Sequence, residues 1–152
     1  MAWRLGEILI RKKLITWEQL EESLEEQKTT KELIGEILIR KGYISQLLIY
    51  KALAEQYELR FVDLKRIRFN PKAIALIPRS VCEKYTLIPI ELSSNTLLIG
   101  ISNPLNVWPE NELKQMTKMD QIKPVLSLPE DIRQAIRDYY PSEETKNLPK
   151  EK

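Results

Sequence analysis

The sequence contains no histidine, only four glycines and a single cysteine among 152 residues. Without histidine it lacks the commonest general base and a favoured metal ligand. The glycines, Gly6, Gly35, Gly42 and Gly100, stand too far apart to build a phosphate-cradling loop or a dinucleotide fingerprint. With Cys82 alone, neither an intramolecular disulfide nor a cysteine-based zinc site can form, which suits a reducing cytoplasm. Cys82 follows Ser80-Val81 and reads as a small buried core residue. No segment approaches the roughly 20 apolar residues of a membrane span, and Met1-Ala2-Trp3-Arg4 does not open a signal peptide, so a cytoplasmic protein without direct membrane insertion is expected. Charge of one sign is also missing: 24 basic and 22 acidic residues leave a net charge of +2, which gives no reason to expect a nucleic acid polymer as partner. No nucleophile–base pair is visible, so the expectation is that this chain is not an enzyme.

What is present is a repeat. The string Gly-Glu-Ile-Leu-Ile-Arg-Lys occurs at Gly6–Lys12 and again, unchanged, at Gly35–Lys41. At that offset Ile15 aligns with Ile44, Thr16 with Ser45, Leu24 with Leu53, Glu26 with Glu55 and Gln27 with Gln56. One unit therefore spans 4–27, a second 33–56, and Lys28-Thr29-Thr30-Lys31-Glu32 separates them. Each unit reads as a helical hairpin. Leu5, Ile8 and Leu9 recur at helical spacing, as do Ile34, Ile37 and Leu38. Arg11, Lys12, Arg40 and Lys41 suit the last turn of the first helix in each unit. Gly42 falls where a left-handed cap is expected, and its counterpart Lys13 must adopt that conformation or close the helix differently. Thr16 and Ser45 are good N-caps, and Thr16 with Gln19 fits a capping box. Leu20, Leu24, Ile49 and Leu53 form inward stripes, whereas Glu18, Glu21, Glu22, Glu25 and Glu26 read as a solvated face.

The second half has a different texture. Leu59, Phe61, Val62 and Leu64 suggest a short strand, and Pro71–Ile77 and Pro78–Tyr85 suggest short helices. Leu87–Leu92 and Thr96–Ile101 read as a hairpin around Ser93-Ser94-Asn95. A helix near Pro109–Met119, a third strand at Ile122–Leu126 and a helix at Pro129–Tyr140 complete it. Trp3, Trp17 and Trp108 read as packing residues, and Arg60, Lys65, Arg66 and Arg68 as solvated surface. The expected class is α+β: a tandem helical-hairpin repeat over 1–63, a small α/β subdomain with a three-stranded sheet over 64–140, and a linker or disordered tail over 141–152.

These residues resemble a known family. Arg4-Leu5-Gly6-x-x-Leu9-Ile10 followed by Ile15, Leu20, Leu24 and Gln27, repeated after a five-residue spacer, is similar to the MshEN domain at the N-terminus of type II secretion and type IV pilus assembly ATPases. The similarity continues through Ile77-Pro78, Tyr85, Pro89-Ile90, Asn95-Thr96-Leu97, Asn103-Pro104-Leu105, Glu112-Leu113, Asp131-Ile132 and Tyr139-Tyr140. The resemblance implies no cofactor and one ligand, cyclic-di-GMP, with each repeat taking one half of it. It implies that Arg4 meets a guanine, that Leu5, Leu20 and Leu24 line apolar walls, that Gly6 lets the backbone come close, and that Gln27 anchors a polar group. Ile34, Gly35, Ile49, Leu53 and Gln56 take the equivalent places. Independently of the family, apolar contact with a base face is worth about 1–3 kcal/mol, and arginine reads guanine O6 and N7 bidentately. Two positions depart from the pattern: Leu33 stands where the first unit has Arg4, and Lys13 replaces the turn glycine. The resemblance also implies a protein partner, either the ATPase domain of a secretion or pilus system or an inner-membrane platform protein. A module that docks on such a platform independently of nucleotide is the alternative reading.

Overall fold

The computed structural model describes residues 2–104 and 108–141, with side chains from residue 5 onward. The side chains of Trp3 and Arg4, Leu105 and the tail expectation for 142–152 lie outside what is described. The chain divides into two compact units, Met1–Arg60 and Phe61–Lys152.

The first unit is all helical: α1 (Ala2–Arg11), α2 (Trp17–Thr30), α3 (Ile34–Arg40) and α4 (Gln46–Gln56). The capping chemistry explains the boundaries. The Thr16 hydroxyl accepts from the Gln19 N–H at 3.1 Å while Gln19 Oε1 accepts from the Thr16 N–H at 2.9 Å, a complete capping box. Ser45 Oγ accepts from the Leu48 N–H at the same place in the second repeat. Both hairpin turns close as Schellman motifs. Leu14 N–H reaches Leu9 O and Lys13 N–H reaches Ile10 O; Tyr43 N–H reaches Leu38 O and Gly42 N–H reaches Ile39 O. Lys13 therefore takes the left-handed conformation (φ 59°) that Gly42 takes at φ 77°. One core serves all four helices, with Leu5, Ile8, Leu9, Ile15, Leu20 from the first repeat meeting Ile34, Leu38, Ile44, Ile49 and Ala52 from the second.

The second unit contains a short 3₁₀ turn (Leu64–Arg66), α5 (Pro71–Ile74), α6 (Arg79–Tyr85), β1 (Leu87–Ser93), β2 (Thr96–Ile101), α7 (Glu110–Thr117), β3 (Gln121–Leu126) and α8 (Pro129–Tyr139). The sheet order is β1-β2-β3, with β1 antiparallel and β3 parallel to the central β2. The hairpin turn is tighter than the sequence suggests: Ser93 belongs to β1 and pairs with Thr96, with Ser94 at φ 52°. Pro89 and Pro124 both fall on edge strands, where a missing N–H costs least. The strand expected within 59–64 shrinks to one bridge, Phe61 to Leu126, held by Val62 N–H to Leu126 O at 2.8 Å. Asp63 ends it by capping the 3₁₀ turn, its carboxylate accepting from the Lys65 N–H at 3.0 Å. The fold class is thus α+β, eight α-helices with a three-stranded mixed sheet among the described residues. Among these residues no helix is long and apolar enough to cross a membrane.

The end of α8 is latched. Tyr140 Oη donates to Ile74 O at 2.9 Å and accepts from Cys82 Sγ at 3.3 Å, while Arg79 Nη1 donates to Tyr140 O at 2.8 Å. Burial pushes the Cys82 thiol up to about 11, well away from thiolate chemistry at neutral pH.

Candidate functional site

Within each repeat a glycine lets the two helices approach. A Cβ on Gly6 would lie 3.0 Å from both Cδ1 and Cδ2 of Leu20, and a Cβ on Gly35 would lie 3.1 Å from Cγ2 of Ile49. Gly6 and Gly35, like Leu20 and Ile49, are equivalent positions of the repeat. The same residue types thus perform the same close approach twice.

Between the repeats the contacts are reciprocal. Helix α1 packs on α4 and α2 on α3, while α1 and α3 also touch. Lys12 Nζ lies 3.1 Å from Glu55, and its counterpart Lys41 lies 3.3 Å from Glu26, the counterpart of Glu55. A solenoid would carry each repeat's contacts forward to the next repeat and never back. Here the lysine of each repeat meets the glutamate of the other, which is the signature of a two-fold axis. The repeats are therefore related by pseudo-two-fold symmetry. At half exposure, Lys12–Glu55 contributes little stability and serves mainly as a register mark.

The α2–α3 side is the more elaborate. Arg40 pairs with Glu26 and, at 2.8 Å, with Glu32; Tyr43 donates to Glu22, and Lys41 lies 3.5 Å from Glu22. The Tyr43 hydroxyl and Lys41 hold the Glu22 carboxyl below the usual range, and Arg40 and Lys41 do the same for Glu26. Desolvation works against the Lys41 charge, but Glu26 and Glu22 outweigh it and raise its pKa. The Tyr43 phenol is raised by its bond to Glu22. Glu22 and Glu26 are thus inter-repeat partners rather than members of a purely solvated face.

The apolar residues expected at the site come together. Leu5, Leu20, Ile34 and Ile49 are all at most 4% exposed and share the core, with Gly6 and Gly35 wedged against Leu20 and Ile49. Leu5 Cδ2 would lie 3.7 Å from a Cβ on Gly35, which brings the two motifs together at the axis. Leu24 and Leu53 are half-buried at the edge of this core. Gln27 Nε2 donates to Glu32 O at 3.0 Å, tying the end of α2 to the spacer, and Gln56 is buried. Leu33 caps α3 with no side-chain hydrogen bond and is 54% exposed. Trp17 is not a packing residue. It is exposed beside a groove of about 490 Å³ whose lining, among the described residues, also takes in Glu7, Ile8, Ile10, Arg11 and Glu55 and none of the expected ligand residues. Trp108 is half-buried, and Arg60, Lys65, Arg66 and Arg68 are exposed.

Comparisons with known proteins agree with this architecture. The MshEN domain family model matches residues 57–146. The type IV pilus assembly ATPase PilB of Myxococcus xanthus is 33% identical over 140 residues, covering 92% of this chain and 25% of that protein. The PilB of Thermus thermophilus is 40% identical over 102 residues, covering 66% of this chain and 11% of that protein. The chain thus spans a quarter or less of the length of these relatives. The solved structure of MshE with cdg (cyclic-di-GMP) superposes with a TM-score of 0.78 at 27% identity, covering 90% of this chain and 99% of that one.

Proposed function

The chain belongs to the MshEN domain family, and from that premise we propose that it is a non-catalytic, cytoplasmic regulatory module that binds one cyclic-di-GMP across its two repeats. The observation that carries this reading is the reciprocal, pseudo-two-fold arrangement of the repeats, with Lys12–Glu55 and Lys41–Glu26 as its marks. A two-fold symmetric dinucleotide presents the same base and phosphate twice. A receptor whose halves are related in the same way meets both with one set of residue types. The MshE structure with cyclic-di-GMP supports the choice of ligand.

In this reading Leu5, Gly6, Leu20 and Leu24 meet one base and Ile34, Gly35, Ile49 and Leu53 the other. Arg4 reads guanine, and Gln27 and Gln56 anchor polar groups. The buried positions set the wall and the half-exposed Leu24 and Leu53 form its accessible edge. Occupancy braces the two repeats against each other and so presents a single surface to the ATPase domain or platform protein that the module serves. Each base contact supplies about 1–3 kcal/mol, and two such contacts with a charge-assisted arginine sum to about 4–9 kcal/mol, which reaches micromolar affinity at its upper end.

Calorimetric titration tests this. Saturable 1:1 binding, weakened tenfold or more in Arg4→Ala, is the expected result. Wild-type affinity in Arg4→Ala, or two ligands per chain at independent sites, overturns it.

A further inference from the structure

The repeat departs from its own symmetry at the position proposed above to read base identity. Leu5 and Ile34 are equivalent and equally buried, at 4% and 2% exposed. The residue before each is Arg4 in the first repeat and Leu33 in the second. Leu33 is held out of the core at 54% exposure, at the mouth of α3 beside Ile34 and Gly35. Its side chain carries no hydrogen-bond donor. The carboxylate of the preceding Glu32 is engaged with Arg40.

Guanine and adenine share a flat apolar face and an N7 acceptor. They differ at position 6, where guanine offers an acceptor and adenine a donor. A leucine covers either face equally well and answers neither group. Resting on the proposed cyclic-di-GMP reading, we infer that Leu33 makes the second half-site indifferent to purine identity, so that the module accepts cyclic dinucleotides carrying a single guanine. The ligand class then includes the 3′,3′-linked cyclic GMP–AMP hybrid, bound with its guanine on the Arg4 side. Cyclic-di-GMP fits in two equivalent orientations and the hybrid in only one, so the statistical disadvantage of the hybrid is about two-fold. Cyclic-di-AMP offers no guanine to the Arg4 side and falls about tenfold or more below both.

The test is calorimetry of the full chain with cyclic-di-GMP, the 3′,3′ hybrid and cyclic-di-AMP, repeated on Leu33→Arg. In the wild type the hybrid is expected within about three-fold of cyclic-di-GMP. Leu33→Arg, a change at an exposed position, is expected to tighten cyclic-di-GMP and leave the hybrid behind by about tenfold. Binding of cyclic-di-GMP with the hybrid more than tenfold weaker in the wild type overturns the inference and leaves the proposed function standing. Equal binding of cyclic-di-AMP also overturns it, because neither half then reads guanine. Binding of none of the three removes both.

Discussion

Replacing Gly6 by alanine sets two opposing effects against each other. Alanine is the better helix former, by about 1 kcal/mol in a helix interior. The added Cβ, however, would sit 3.0 Å from both terminal methyls of Leu20. Leu20 is 4% exposed, so its methyls have no solvent to swing into. Overpacking of this kind costs about 1–3 kcal/mol, so a net loss of roughly 1 kcal/mol is expected. Leu20→Ala alone opens a void and costs about 2–5 kcal/mol. In the double variant the new Cβ occupies part of that void and the clash is gone. The two losses then fall short of their sum by about 1–3 kcal/mol. Urea unfolding of the four proteins, followed by far-ultraviolet circular dichroism, closes the cycle. A gain in stability for Gly6→Ala with strictly additive losses would refute the claim that this glycine exists for helix approach.

Lys13→Gly relieves a left-handed lysine at φ 59° and is expected to stabilise by about 0.5–1 kcal/mol, whereas Gly42→Ala, with nothing within 4 Å of the new Cβ, loses about 1 kcal/mol from backbone strain alone; urea midpoints decide both. Glu22 and Glu26 are held below the ordinary glutamate value of 4.5, so their contribution is complete above it and is lost as pH falls through their depressed folded values. The Glu22→Gln/Glu26→Gln variant should flatten that acid limb in a pH series of urea midpoints. Tyr140→Phe leaves the Ile74 carbonyl without its 2.9 Å donor and should cost about 1–3 kcal/mol by the same assay. Cys82, buried with its thiol raised to about 11, should react with a thiol reagent only as fast as the second unit opens, and faster in Tyr140→Phe.

Local chemistry made much of this fold legible. The duplicated Gly-Glu-Ile-Leu-Ile-Arg-Lys string and the Thr16–Gln19 capping box each determine structure over a few residues and lie where the residues put them, and the hairpin expected around Ser93-Ser94-Asn95 forms with Ser93 drawn into β1. The parallel pairing of β2 with β3 was beyond such reading, because it joins segments separated by α7. So was the reciprocal packing. A duplicated string says that two hairpins exist but not whether the second follows the first by translation or faces it across an axis. Glu22 and Glu26 read as solvent-facing in the sequence because their partners, Arg40, Lys41 and Tyr43, belong to the other hairpin. The residue type of Trp17 suggests packing, yet it opens α2 one residue after the Thr16 cap, where the hairpin core does not reach. Of the residues proposed for the site, Leu5, Leu20, Ile34 and Ile49 were legible as a buried set because helix packing demands apolar side chains at helical spacing, and that spacing does not separate a core position from a ligand wall.

Methyl NMR of the leucine-labelled chain titrated with cyclic-di-GMP shows whether one ligand engages both repeats at once. Leu24, at the edge of the first repeat, and Leu53, its counterpart in the second, are expected to shift together along one isotherm that saturates at one ligand per chain. Shifts confined to one of the two, or two isotherms of different midpoint, would mean that the repeats do not share a ligand.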